Sequence, residues 1–431
     1  MVGKVDTAAP KVLMVAFHFP PQAGSSGIQR TLRFAQYLPD SGWQPLVLSA
    51  HPRAYAATGM DQMTEADALH VTRAFALDSA RHLALRGRYL GWTALPDRWV
   101  TWCLGAVPAG LRLIRRERPR VLWSTYPIAS AHLIGAILHK LSGLPWVADL
   151  RDPMIDDVHP RGRLPRAAAA WVERLAVRRA ARLVCTTPGA LRSYRARYPD
   201  VPPERFCLIE NGYDEQDFAA AEAQPRSAPV PGPFVLLHSG IVYPSERDPR
   251  PLLSALAHLK RAGHVDAARL RLVLRAPVHE ELLRNLAREH GIEDMVAIAP
   301  PLPYRAALAE MLAADGLLLL QAANCNHQVP AKLYEYLRAA RPLLALTDAA
   351  GDTAAALRAA GIDTIAPLED AGAIAVALPH FLQRARAGRA PLAPPEVRQA
   401  HARSQRSRLL AALFDEVGTE AAMPGTGAPP R

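Results

Sequence analysis

Four stretches of this sequence combine glycine with basic and acidic residues in patterns suited to an anionic ligand. The first is His18-Phe19-Pro20-Pro21-Gln22-Ala23-Gly24-Ser25-Ser26-Gly27-Ile28-Gln29-Arg30. An apolar run, then glycines and serines, then a helix start lets backbone N–H groups approach an anion. Neither a GxGxxG fingerprint nor a Walker loop is present, and a plain tight turn fits the same residues. The second is Val147-Ala148-Asp149-Leu150-Arg151-Asp152-Pro153, three charges directly after an apolar strand. Strand ends of open sheets are where ligand groups collect, although Asp149 or Asp152 could equally pair with Arg151 or cap a helix. The third, His238-Ser239-Gly240 followed by Ser245-Glu246-Arg247-Asp248-Pro249-Arg250, repeats the first pattern and adds arginines. Arg247 is placed to hold a diphosphate through paired charge-assisted bonds, with a solvated charged loop as the plainer alternative. The fourth runs His327-Gln328-Val329-Pro330-Ala331-Lys332-Leu333-Tyr334-Glu335-Tyr336-Leu337. Pro330 suits the first turn of a helix. Lys332 and Glu335, three apart, then share a face near its positive end. A phosphate could meet Lys332 there and a ribose could donate to Glu335; taken alone, a surface ion pair explains the pair as well.

Loops of this kind need strands and helices to hold them. Strand-like apolar runs alternate with helix-length segments, which predicts a parallel α/β architecture. The first set of strands is Val12–Ala16, Pro45–Ser49, Arg120–Ser124, Trp146–Leu150, Leu183–Thr186 and Phe206–Glu210. The pattern restarts at Phe234–His238 and continues with Leu270–Arg275, Met295–Ile298, Gly316–Leu320 and Pro342–Ala345. Between the sets, 219–233 is rich in Ala, Pro and charge and reads as a linker. The expected organisation is a first domain over 1–218, a second over 234–393, a helix over 394–417 and a disordered polar tail over 418–431. Two such halves are expected to hold a phosphate-bearing ligand in a cleft between facing strand ends.

The chain's 431 residues suffice for two cores, and half of them are apolar. A formal charge of +11 points to an acidic partner: a phosphorylated substrate, an anionic membrane surface or nucleic acid. A compositional bias toward arginine explains the net charge equally. The four cysteines, Cys103, Cys185, Cys207 and Cys325, form no CxxC pair, which argues against a zinc site or disulfide framework. The opening ten residues do not read as a signal peptide, and no run of apolar residues is long enough to span a bilayer. A cytoplasmic protein, peripheral to the inner face of a membrane at most, is the expectation.

At the fourth stretch a resemblance becomes specific. It resembles the carboxy-terminal signature of glycosyltransferase family 4, the retaining GT-B sugar transferases, in which a Glu, seven residues and a second Glu precede small residues and a Pro. Glu335 and Pro342 fall in register with the second Glu and the Pro, whereas His327 stands at the first Glu. The run Val329–Leu337 is similar to a subgroup with a PxKxxEY-type motif. Phe19-Pro20-Pro21 with Gly24–Gly27, Gln29 and Arg30 is similar to the family's amino-terminal loop. Thr125-Tyr126-Pro127, His132 and Trp146–Pro153 resemble the same subgroup, and Glu210-Asn211-Gly212-Tyr213-Asp214 its N-G-[VY]-D run. The ordered set covers about Lys11 to Val417.

The resemblance implies two Rossmann-like domains, with a carboxy-terminal helix crossing back to the first. It implies a nucleotide-diphospho-sugar as co-substrate, no other cofactor and no metal, with the donor on the second domain and the acceptor on the first. Glu335, His327, Gly240, Pro330, Ala331 and Leu333 would line the donor. Arg247, Lys332 and Arg151 would serve catalysis, and Gly24, Ser25, Ser26, Gly27, Arg30, His132, Asp149 and Asp152 the acceptor and diphosphate side. Two departures accompany His327: Ile241 stands where many members carry an Arg, and Arg151 where a histidine is usual. The implied activity is retaining transfer of a sugar to a saccharide or lipid-linked saccharide in polysaccharide or glycoconjugate assembly. A non-catalytic nucleotide- or glycan-binding module is the alternative. Nucleic acid ranks last, because basic motifs interleaved with aromatics are missing. Arg161–Arg182 holds seven arginines against the single Glu173, with Trp171, Val172 and Leu175 on one side, and suits an anionic membrane surface or simply a basic outer helix face.

Overall fold

Apolar runs without polar alternation are what parallel strands need when helices cover both faces of their sheet. The computed structural model, which describes residues 9–24, 27–59, 62–156, 160–224 and 232–422, contains two such sheets. The first is formed by β1 (Lys11–Val15), β2 (Gln44–Ala50), β3 (His70–Ala74), β4 (Val121–Thr125), β5 (Trp146–Arg151), β6 (Arg182–Cys185) and β7 (Phe206–Leu208). Their order is β3-β2-β1-β4-β5-β6-β7, all pairs parallel. The second contains β8 (Phe234–Ser239), β9 (Leu270–Arg275), β10 (Val296–Ala299), β11 (Gly316–Leu320), β12 (Leu343–Leu346) and β13 (Ile365–Ala366). Its order, β10-β9-β8-β11-β12-β13, is the same doubly wound pattern. In each sheet the winding reverses beside the first strand, where the loops after that strand's carboxyl end part and a ligand can enter. The expected α/β fold of two Rossmann-like halves is therefore present.

The chain divides into one unit of Met1–Asn211 with Arg403–Arg431 and another of Gly212–Ala402. In the first unit, helices Trp102–Glu117, Ala129–Ser142 and Arg163–Arg179 cover one face of the sheet, and Gly27–Tyr37 and Arg403–Ala422 the other. Trp43 anchors that last helix: its ring meets Phe414 edge-on at 5.3 Å and its Nε1–H donates to Asp415 at 3.0 Å. In the second unit, Arg250–Arg261 and Ala371–Arg386 cover one face, and Tyr304–Ala313, Lys332–Ala339 and Glu215–Glu222 the other. Fully buried leucines such as Leu13, Leu237 and Leu333 each contribute about 1.5–3 kcal/mol to these cores.

Several sequence boundaries move. Residues 212–218, placed with the first domain, go with the second unit. Asp214 caps the helix Glu215–Glu222 by accepting from the Asp217 N–H at 3.0 Å, so the start of the expected linker is helical. Residues 225–231 lie outside the described residues. The single helix expected over 394–417 is two, Pro395–Ala400 and Arg403–Ala422. The second runs past the expected start of the disordered tail, of which 423–431 lie outside the described residues. The strands β3 and β13 were not anticipated, being a half-exposed edge strand and a two-residue one.

Candidate functional site

In the second unit, β8 carries a buried imidazole one residue before its end. His238 lies wholly out of solvent, with Nδ1 2.9 Å from the Leu318 carbonyl oxygen and Nε2 3.3 Å from Lys332 Nζ. Nδ1–H donating to the carbonyl leaves Nε2 to accept from the lysine. Burial, then the Lys332 charge, holds this histidine well below its ordinary pKa, so it is a neutral acceptor. The next N–H, of Ser239, donates to the Tyr336 phenol oxygen at 2.9 Å. Gly240 has φ +125°, and a Cβ there would stand 2.6 Å from Lys332 Nζ. Only glycine lets the chain turn here and the ammonium pass. Gly240→Ala is expected to lower stability by about 1–3 kcal/mol and to displace Lys332; urea unfolding checks it, and an unchanged midpoint would show the turn to be relaxed.

The Lys332 ammonium opens the helix Lys332–Ala339, whose first turn has no side-chain cap. Burial and the Arg247 charge bring its pKa down to about 7, only partly opposed by Glu335. Two cations thus stand near one helix N-terminus with one carboxylate on the same face, an arrangement that favours a multiply charged anion. Arg247 donates to the Ile241 carbonyl at 2.7 Å and lies over the Tyr243 ring. Its loop is pinned where Glu246 O accepts from Ala322 N (2.7 Å) and Ser245 O from Asn324 Nδ2 (2.9 Å). Glu335 accepts from the Tyr304 hydroxyl at 2.7 Å.

The sequence candidates Gly240, Arg247, Lys332 and Glu335 are therefore brought together. Helix-first-turn Pro330 is a correction: the helix starts at Lys332, and Pro330 precedes it, accepting from Leu333 N at 2.9 Å. Ala331 is the residue before that start, and His327 lies half-buried beside Gln328. The Leu333 side chain is fully buried in the core beneath, so it positions the helix and cannot line a ligand. Sequence reasoning missed His238 as a partner of Lys332, as well as Tyr304 and Tyr336. A histidine ending an otherwise apolar strand was the available signal for the first of these.

The first unit gathers a different set. Arg30 is 2% exposed and Asp149 not at all; Nε and Nη2 of the arginine donate to the two carboxylate oxygens at 2.9 and 2.8 Å. The carbonyls of Ile209 and Glu210 and the Thr125 hydroxyl complete the cluster. This corrects the expectation that Arg30 and Asp149 meet a ligand: their polar atoms are spent on each other, joining β4, β5 and the end of β7. His132 is corrected likewise. It lies fully buried, 2.7 Å from Ser124 Oγ, which also accepts from Trp146 Nε1, and burial lowers it to about 4. Asp152 is half-buried and accepts from Thr186 Oγ1 at 3.4 Å. Gly24 turns with φ +79° on the surface. Arg151 and Gly27 do come together, for a Cβ at Gly27 would lie 2.8 Å from an Arg151 Nη1 and 2.7 Å from His18 Nδ1. Ser25 and Ser26 lie outside the described residues.

Residues 26–212 match the family model described as a glycosyl transferase 4-like domain. No curated protein matches the sequence. Among solved structures, a sucrose-phosphate synthase from Thermosynechococcus elongatus is 14% identical, with TM-score 0.62 over 96% of this chain and 97% of its own. Alr3699/HepE of Anabaena, in complex with UDP, is 14% identical with TM-score 0.58, over 96% and 98%. WaaG, a glycosyltransferase involved in lipopolysaccharide biosynthesis, is 16% identical with TM-score 0.56, over 97% and 100%. At such identities the likeness shows the fold alone, two Rossmann-like domains in succession as in GT-B glycosyltransferases. Among the described residues no helix is long and apolar enough to cross a membrane.

Proposed function

We propose that this chain is a retaining glycosyltransferase that takes a sugar from a nucleotide-diphospho-sugar. The observation that carries the reading is the second unit's cluster: two cations, a helix N-terminus and a glycine turn beside one carboxylate. In this scheme Glu335, held by Tyr304, accepts from the ribose hydroxyls, and Arg247 and Lys332 face the diphosphate. The anomeric carbon–phosphate oxygen bond breaks as the acceptor oxygen bonds the same carbon from the same face. The bonding pair leaves with the diphosphate, and the acceptor's hydroxyl proton passes to it. Negative charge on the leaving group grows in the transition state, where fixed cations act most strongly. Lys332 and Arg247 supply that help without a metal. The UDP bound by Alr3699/HepE supports a nucleoside diphosphate as ligand.

Glu335→Ala is the test of placement. It is expected to weaken UDP or GDP binding by about tenfold, the loss of one charge-assisted hydrogen-bond pair. Calorimetric titration reads it, and unchanged affinity would show the ribose to lie elsewhere. A donor screen separates transfer from the non-catalytic alternative, which is favoured by His327 standing in place of a carboxylate. Nucleotide binding with no turnover over all donors and acceptors would establish the binding module.

A saccharide carried on a lipid is the acceptor class proposed, at an anionic membrane on the cytoplasmic side. The helix Arg163–Arg179 supports this. Leu164 and Trp171 are 72% and 54% exposed, while Arg163, Arg166, Arg174 and Arg178 are also on the surface. Its single carboxylate, Glu173, is buried and paired with Arg197 at 2.7 Å, so every charged side chain that the helix exposes is basic. Val172, expected beside Trp171, faces the core instead. Flotation with vesicles containing phosphatidylglycerol is expected to carry the protein up, and Trp171→Glu to weaken it several-fold. Equal recovery with neutral vesicles would sink the proposal.

A further inference from the structure

The strand β8 is apolar from Phe234 to Leu237, and then a histidine follows. Leu237 is registered with Leu317 of the neighbouring strand β11, which brings the next carbonyl, of Leu318, beside the His238 ring. The ring is fully buried, and its Nδ1 stands 2.9 Å from that oxygen. A carbonyl can only accept, so this bond places the proton of the neutral ring on Nδ1 and leaves a lone pair on Nε2. That lone pair is 3.3 Å from Lys332 Nζ.

The ammonium is confined from another side as well. Gly240 passes so close that a Cβ there would stand 2.6 Å from Nζ and 3.3 Å from Cε. Between the two, the Ser239 N–H is held by the Tyr336 hydroxyl at 2.9 Å, one turn along the lysine's own helix. The end of β8 and the first turn of that helix are thus fixed against each other. Lys332 offers three N–H groups; one meets Nε2, and two stay for the oxygens of an anion. The other charges near the ammonium are Arg247, from the loop after β8, and Glu335, from its own helix. A carboxylate in place of the imidazole would direct the ammonium too, but it would offset the charge and hold the proton. The imidazole directs without neutralising, because burial, and then the Lys332 charge, keep it uncharged.

We propose that His238 is a positioning residue for sugar transfer: through Nε2 it aims the Lys332 ammonium at the diphosphate and leaves the whole of that charge to the leaving group. The proposal rests on the reading of the second unit as the nucleotide-diphospho-sugar site. It adds a residue that acts from the core, through the lysine, and makes no contact with the ligand.

Calorimetric titration of the full chain with UDP and GDP at pH 7, in two buffers of different ionisation heat, reads proton uptake together with affinity. The unaltered protein is expected to take up about half a proton with the nucleotide it binds, since a lysine with a pKa near 7 is half charged there. His238→Leu removes an acceptor from the charged form, so the free lysine gives up its proton more readily. Uptake is then expected to rise toward one while affinity falls by about tenfold. His238→Gln, whose side-chain oxygen can stand in for Nε2, is expected to bring both back toward their original values. Unchanged affinity in His238→Leu, or lost affinity with unchanged uptake, would reduce the histidine to core packing and overturn the proposal. A second reading survives if the Leu variant does not fold. In protein with 15N-labelled histidine, the Nε2 resonance missing from His238→Gln is expected to be that of an unprotonated nitrogen at pH 7, and to be displaced in Lys332→Met. A proton on that nitrogen, or a resonance that Lys332→Met leaves in place, would overturn the proposal as well. Absence of UDP and GDP binding with the displacement intact would instead count against the donor reading.

Discussion

Lys332→Ala is expected to lower the rate of sugar transfer by about 10²–10³-fold, the cost typical of removing one preorganised charge from a developing oxyanion. The substitution removes the ammonium without touching the core, because the fully buried neighbours Leu333 and Tyr334 carry the helix's packing. His238 keeps its bond to the Leu318 carbonyl and loses only an acceptor contact. The proton state of Lys332 gives a second readout. With a pKa near 7 in the free protein, it is mostly charged below that pH and mostly neutral above it. Binding of a diphosphate favours the charged form, so the bound pKa rises and Lys332 takes up a proton as the nucleotide binds above pH 7. The folding linkage has its own sign. The unfolded lysine titrates near 10.4 and holds more protons than the folded one across the window from about 7 to that value. Stability contributed by this group therefore rises with pH through that window. Arg247→Lys retains charge but not the fork, and it should cost less than Lys332→Ala if the two cations share the diphosphate.

Asp149→Ala is expected to destabilise the first unit by about 3–5 kcal/mol, because it strands a guanidinium that has no access to water. Arg30 is 2% exposed and would keep only two backbone carbonyls. All seven tryptophans of the chain lie between Trp43 and Trp171. Tryptophan fluorescence in urea therefore follows this unit and not the other. Replacing both partners, Arg30→Met with Asp149→Leu, should recover much of the loss, since it removes the stranded charge along with the pair. A single-variant loss under about 1 kcal/mol would place the pair in water and restore both residues as candidates for ligand contact.

These two residues show where sequence reading stops. Arg30, in the helix after β1, and Asp149, near the end of β5, each read as ligand groups, yet they are 119 positions apart and the pattern says nothing of their meeting. Only the adjacency of β1, β4 and β5 brings them together. His132 was misread for a different reason. It stands in an Ala- and Leu-rich helix whose residues Ala129–His132 are all buried, so its flanks already marked it as a core histidine. The second-unit cluster was legible because its members lie at the places a doubly wound sheet must expose. Gly240 and Arg247 follow the first strand of the half, and Lys332 and Glu335 open the helix after the fourth, β11. Tyr304 and Tyr336 escaped notice because the role of the first depends on how two helices face each other and that of the second on how its helix meets the end of β8. The edge strand β3, His70–Ala74, escaped for lack of an apolar run, its residues being mostly half-exposed.

The central claim is that the second unit holds a nucleoside diphosphate on Lys332 and Arg247. Its most direct test is calorimetric titration with UDP and GDP at pH 8 in two buffers of different ionisation heat. At that pH the diphosphate is fully ionised and Lys332 mostly neutral. One of the two nucleotides is predicted to bind with uptake of close to one proton, about 0.9 from a pKa near 7, and Lys332→Met to abolish that uptake while weakening binding. Binding without proton uptake, or with uptake unchanged in Lys332→Met, would contradict the account.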